Sequence, residues 1–189
     1  MHIVFGRIFY EGYNPLVQAV SDLTANGSPS KNIARIFSFL YGIFTVVFAI
    51  CFFVYFKNRI NKIIAIGSCL FCIMNIISFF GYTLFPLSEV GYAGTLQDKM
   101  HMIVTVFVVV LTMISIVLYT FGFLKAKENK HLGIISICTF VLLLAGAMLI
   151  NVLPQKYFGI AQRMNIYSII IYTGILSIWM YKYIGKIKE

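Results

Sequence analysis

Five long stretches of this chain are almost free of charge: about 33–56, 63–84, 100–124, 132–153 and 163–183. Each is long enough to cross a hydrocarbon core of about 30 Å as a helix rising about 1.5 Å per residue. The pattern predicts an all-α polytopic transmembrane helical bundle, forming one integral membrane domain over residues 1–189. The connections alternate in charge. Lys57, Arg59 and Lys62 fill the first, and Lys125, Lys127 and Lys130 fill the third. Lys182, Lys186 and Lys188 follow the last stretch. Between them lie 85–99, with Glu89, Asp98 and Lys99, and 154–162, with Lys156 alone. Basic loops stay in the cytoplasm. The basic connections and the C-terminus are therefore expected inside a plasma membrane, with 85–99, 154–162 and the segment before residue 33 outside.

The N-terminal region, residues 1–32, breaks the pattern. Asn14-Pro15 has the form of a helix start, with Asn as N-cap and Pro in the first helical position. Leu16, Val20 and Leu23 share one helical face, and Asn26-Gly27 reads as a stop. A short helix lying on the outer surface is expected there. Ser28-Pro29 repeats the cap-plus-proline signal before the first span. Residues 1–13, "MHIVFGRIFYEGY", are apolar but interrupted by Arg7 and Glu11. They read either as an interfacial strip with aromatic anchors or as the outer half of a helix whose inner half lies outside this sequence. A loose repeat favours the second. Pro15, Pro86 and Pro154 each open an outer connection that enters a helix with polar first turns. Three such hairpins need six helices, and this chain shows five and a partial one.

Composition agrees with a membrane solvent: 60% of the 189 residues are hydrophobic and 11% charged, against about a quarter charged in soluble domains. No secretory signal peptide is evident at the start. The net charge of +9 reads as topogenic, not as a nucleic-acid footprint, because the clusters are short and carry no recognition motif. Abundant Ile, Lys, Phe and Tyr suit a low-GC bacterium. Cys51, Cys69, Cys72 and Cys138 all fall inside apolar runs. Desolvated thiols are poor nucleophiles and ligands, so these are expected to be buried small hydrophobes, with no disulfide framework. His2, His101 and His131 do not form a zinc set. No cofactor is implied.

The remaining charge is concentrated at span entrances. Thr95 and Asp98 form a capping box ahead of the third span. His101 lies one turn deeper on the same face, which continues as Thr105, Thr112, Ser115 and Tyr119. Such a polar seam faces a bundle interior. His101 is either a functional group or a structural histidine bonded to a carbonyl or to Asp98. Arg163 opens the last span with Tyr167 a turn deeper. It either reaches lipid phosphate or pairs with one of Glu11, Asp22, Glu89 and Asp98. Asp22, Asp98, His101 and Arg163 are expected at one depth, lining one outward-facing polar pocket; the alternative is four unrelated interface residues.

The stretches "YNPLVQAVSDLTANGSPSKN", "LFP", "DKMHMI" and "GIAQRMNIY" resemble the bacterial and archaeal membrane family known as domain of unknown function 998, over nearly the whole chain. The resemblance implies six helices, the first ending just before Tyr13. It also implies recurrent polar positions at Ser21, Asp22, Asn32, His101 and Arg163, and no established activity. Three functions are open. A lipid or amphiphile binder would grip a headgroup with Ser21, Asp22, Asn32, His101, Arg163 and Tyr167. A membrane-embedded hydrolase or transferase would use His101 as acid–base, oriented by Asp98 or Asp22. A small transporter ranks last, because the span centres carry no charge. Membrane lipids and a small amphiphilic ligand are the expected partners, and the oligomeric state is left open.

Overall fold

The chain folds into a seven-residue helix, α1 (His2–Ile8), and five long helices. These are α2 (Lys31–Phe56), α3 (Lys62–Leu84), α4 (Leu96–Lys125), α5 (Lys130–Val152) and α6 (Phe158–Lys188). The computed structural model describes residues 2–59, 61–126 and 129–188, with side chains as far as Gly185. Lys127 and the side chains of Lys186 and Lys188, assigned above to basic connections, fall outside the described residues. α2 to α6 are all long and apolar enough to cross a membrane. With no strand among the described residues, this is an all-α polytopic bundle. Lipid offers backbone groups no partner, so only self-satisfied helices suit such sequence.

The helix ends follow local chemistry. Asn61 caps α3 by accepting from the Ile64 amide at 2.9 Å. The Thr95–Asp98 capping box forms, so α4 starts four residues before the expected edge at 100. α6 starts at Phe158, which places Arg163 beyond its first turn.

Two expectations about the N-terminal region are corrected. The surface helix expected from Asn14 to Asn26 does not form. One turn closes, with the Gln18 amide on the Asn14 carbonyl at 2.9 Å, and the rest is turns with a 3-10 turn at Ser21–Leu23. The reason lies in competing partners. In a helix, the carbonyls of Pro15, Leu16 and Gln18 would take the amides of Ala19, Val20 and Asp22. Here α6 takes all three carbonyls, through Arg163 and the Gly159 amide. Nor does Ser28-Pro29 open α2, which begins at Lys31. Ser30 stands at the boundary, and its hydroxyl donates to the Leu23 carbonyl at 2.9 Å instead of capping the helix.

The long helices pack in chain order: α2 on α3, α3 on α4, α4 on α5, α5 on α6. α1 lies on the first part of α2. Its Phe5 ring stacks on Phe37 at 4.3 Å, and Gly6 is buried against Leu23 and Ala34. The core centres on Tyr119 of α4, whose ring meets Phe52 of α2, Phe71 of α3 and Tyr172 of α6 at 6.0–6.2 Å. Its hydroxyl reaches Ser68 at 3.3 Å, and the Tyr172 hydroxyl pairs with Ser136 at 2.7 Å. The polar seam of α4 does face inward: His101, Thr112, Ser115 and Tyr119 are buried and Thr105 half-buried. The cysteines depart from expectation. Cys51 and Cys138 are exposed on the bundle surface, Cys69 and Cys72 are half-buried, and all four are free. In a membrane, an apolar surface position suits a thiol as well as an interior one, because packing, not hydrophobicity, selects the interior.

Gly81 sets the spacing of α3 on α4. A Cβ there would stand 2.6 and 2.8 Å from the two methyl carbons of Val104. Gly81→Ala is therefore expected to lower the thermal unfolding midpoint, with overpacking costing about 1–3 kcal/mol. Val104→Ala in the same chain should restore it; an unchanged midpoint in the single variant would contradict this packing.

Candidate functional site

The buried ionisable groups Asp22, Asp98, His101 and Arg163 gather at one end of the bundle, where α2, α4 and α6 begin. There the segment 10–30 lies across the helix ends as a cap. Arg163, Asp22 and Arg35 hold it, each through backbone groups.

Arg163 is buried, 8% exposed. Its Nη1 donates among the carbonyls of Pro15 (2.5 Å), Gln18 (2.8 Å) and Gly159 (2.9 Å). Its Nη2 donates to the Tyr13 hydroxyl, which in turn donates to the Ala19 carbonyl at 2.7 Å. The guanidinium carbon also stands 5.5 Å from the Tyr13 ring centre. Burial pushes the Tyr13 phenol pKa up, against the opposing pull of Arg163. The phenol therefore stays protonated and able to donate. Gln162 and Gly159 complete the seam. The Val20 amide donates to Gln162 Oε1 at 2.7 Å, and the Gly159 amide to the Leu16 carbonyl at 2.9 Å. A side chain at Gly159 would collide with the Pro15 and Gln18 carbonyls, so this helix face must be bare for the cap to lie on it.

Asp22 does the same work on the other side, and Asp98 holds the α3–α4 connection that Asp22 reaches. Asp22 Oδ2 accepts from the Ala19 amide at 2.8 Å, and Oδ1 from the Gly91 amide at 3.0 Å. The cap is thereby tied to the α3–α4 connection. Asp98 accepts from the Ser88 amide and hydroxyl and from the Ala93 and Thr95 amides, at 2.8–3.2 Å. Gly91 and Gly94 turn that connection back with φ of +81° and +78°, a region where side chains are strained. His101 Nδ1 lies 2.8 Å from the Phe85 carbonyl at the end of α3. A carbonyl only accepts, so Nδ1 carries the proton. The His101 ring rests on Tyr82, 4.9 Å between centres. Arg35 donates to the Thr24 carbonyl at 2.8 Å and the Asn26 side chain at 2.9 Å.

Asp22, Asp98, His101 and Arg163 thus do share one end of the bundle. Among the described residues no hydrogen bond or ion pair joins any two of them. Arg163 takes carbonyls where a carboxylate or a phosphate was expected. His101 takes the Phe85 carbonyl, one of the two structural options open in the sequence. Of the other candidate residues, Ser21 gives its carbonyl to Thr24, Asn32 is exposed, and Tyr167 is 43% exposed. Sequence reasoning passed over Tyr13, Gly159 and Gln162. The signal was available: Gly159 and Arg163 lie four apart, on one helix face, in the same "GIAQR" run.

A separate cavity of about 230 Å³ opens halfway down the bundle, between α2 and α6. Tyr41, Phe44, Thr45 and Phe48 form one wall, and Ile170, Thr173, Gly174 and Ser177 the other. Three of the wall hydroxyls are already used: Thr45 donates to Gly42, Thr173 to Ile169 and Ser177 to Thr173, at 2.8–3.0 Å. Apart from the Tyr41 hydroxyl, the walls therefore present hydrocarbon. On the cap side, the cleft ends where His2 of α1 meets Tyr41, 5.9 Å between rings. On the other side, Phe52 and Phe56 of α2 meet Trp179 of α6, at 6.2 and 5.1 Å.

The cap gives a direct prediction. Arg163→Met removes charge-assisted hydrogen bonds of about 1.5–3 kcal/mol each, so opening of segment 13–20 should rise at least about tenfold. A cysteine at Val20, otherwise buried at 5% exposure, should react correspondingly faster with a water-soluble maleimide in a protein stripped of its native cysteines. Equal rates in the two proteins would contradict the role given to Arg163.

The sequence matches the model of the family described as "Protein of unknown function (DUF998)" over residues 1–179 of 189. No curated protein and no solved structure matches the chain. The chain, with its five helices long and apolar enough to cross a membrane, belongs to the DUF998 family, whose function is unknown.

Proposed function

We propose that this protein is a non-enzymatic binder of a membrane lipid or similar amphiphile, resident in a bacterial plasma membrane with its basic end and C-terminus in the cytoplasm. The observation that carries this reading is the α2–α6 cleft, mid-span and walled with hydrocarbon. A hydrocarbon chain can enter it sideways from the bilayer without crossing the cap. The reading also explains why the cap end need not be open: its ionisable groups are committed to backbone partners. A headgroup gripped by Ser21, Asp22, Asn32, His101, Arg163 and Tyr167 would have to displace those bonds. The hydrolase reading meets the same obstacle, since Asp98 serves Ser88, Ala93 and Thr95, and His101 serves Phe85. The transporter reading has no charged group in the cleft to couple to.

Gly174 offers the test. A Cβ there meets nothing within 4 Å, so a larger side chain fills the cleft without disturbing the helices. Native mass spectrometry of the detergent-washed protein should show retained lipid in the parent and its loss in Gly174→Phe. Equal retention in both, or retention in neither, would overturn the proposal.

A further inference from the structure

The cleft lies near the middle of α2 and α6, and a chain could reach it from either leaflet. The two approaches differ. Ala34, Phe37 and Tyr41 lead down α2 from the cap end to the cleft, and α1 covers this path with Gly6, Phe5 and His2 in turn. Segment 13–20, fastened to α6 by Arg163 and Gln162, covers the matching part of α6. The approach from the basic end is not covered in this way. There Phe52 and Phe56 are fully buried against Trp179, which itself packs on Phe123 and donates to Asn129. The rings close the seam from within, and a chain can lie along its outer side, between half-buried Tyr55 on α2 and exposed Tyr181, in line with Gly174 and Ser177 on α6.

Charge separates the two approaches as well. Tyr55 lies seven residues after Phe48, two turns along the same face of α2. The exposed Arg59 follows, its guanidinium 4.5 Å from the centre of the Tyr55 ring. A topogenic cation needs only to sit in a basic connection; it has no reason to fall in register with a cleft wall. Lys57 and Lys182 flank this position, brought to the same end by the Phe56–Tyr183 ring contact at 5.5 Å. Lengths agree. Phe48 to Phe56 is about 12 Å at 1.5 Å per residue, with Arg59 a further turn on. One leaflet of hydrocarbon is about 15 Å deep.

We infer that the occupant of the α2–α6 cleft is an anionic phospholipid drawn from the leaflet at the basic end. Its phosphate sits on Arg59, its chain lies along the seam between Tyr55 and Tyr181, and the chain end lodges between Phe48, Thr45 and Gly174. Guanidinium suits phosphate because its planar fork gives two parallel hydrogen bonds. This inference rests on the cleft reading above and adds the lipid class, the leaflet and the headgroup residue.

Trp179 is the protein's one tryptophan, and it stands directly behind that seam, against Phe52 and Phe56. Its fluorescence therefore reports the occupant. The full chain is placed in phosphatidylcholine vesicles containing increasing mole fractions of either phosphatidylglycerol or phosphatidylcholine brominated midway along the chain. Brominated phosphatidylglycerol should reach half-maximal quenching at about a tenfold lower mole fraction, as one charge-assisted hydrogen bond implies. Arg59→Gln should bring the two curves together, while Lys57→Gln shifts them less. Coincident curves in the parent protein, or a difference that survives Arg59→Gln, would overturn the inference. If coincident curves both shift in Gly174→Phe, the cleft reading stands and the anionic selectivity fails. If Gly174→Phe also leaves them unmoved, both fail. Crosslinking through the cleft to a second copy of the chain, with no bromine quenching, would likewise overturn it.

Discussion

Arg163 donates to three backbone carbonyls and one phenol, and the placing of the cap follows from that arrangement. The cap is a stretch of non-helical chain at the end of a membrane bundle. Its backbone groups need partners, and an unpaired buried one costs about 1–3 kcal/mol. Regular structure is the usual answer. Here single side chains answer instead, each satisfying several groups at once. Arg163 serves carbonyls of the cap, Asp22 serves amides of the cap and of the α3–α4 connection, and Asp98 serves amides of that connection. The division follows from charge: cations donate to the carbonyls and carboxylates accept from the amides.

This arrangement bears on function by exclusion of geometry rather than by chemistry. Polar residues at a membrane boundary invite a binding or catalytic reading, and most of those in this chain are committed to holding the cap. What the cap leaves open is lateral. α1 and segment 13–20 close the α2–α6 seam at one end, and the rings of Phe52, Phe56 and Trp179 draw it together toward the other. The interval between is an apolar recess facing the bilayer.

The spans were legible because charge-free runs of that length have one ordinary solution in lipid. Edges were legible where a cap was written locally, as at Thr95 with Asp98. The seam from His101 to Tyr119 was legible because helical spacing puts its members on one face. The segment after Asn14 was misread because its local pattern favours a helix, and the competing partners arrive from α6 nearly 150 residues later. No local rule carries that information. The candidate residues Asp22, Asp98, His101 and Arg163 were correctly drawn to one end. That they do not bond one another could not be inferred, because spacing along a chain does not reveal that a backbone carbonyl is nearer than a carboxylate. The cleft was invisible for a related reason: Thr45, Thr173 and Gly174 read as ordinary span residues, and only the separation of α2 and α6 makes a recess of them.

The central claim is that side chains replace regular structure in holding the cap and the α3–α4 connection tied to it. Hydrogen exchange at the amides of Ala19, Val20, Gly91 and Ala93 tests it most directly, since all four lie outside the helices and each donates to one named side chain. The account predicts protection close to that of the hydrogen-bonded amides in the second turns of α4 and α6. Exchange at the rate of an unstructured peptide at these four positions would contradict it.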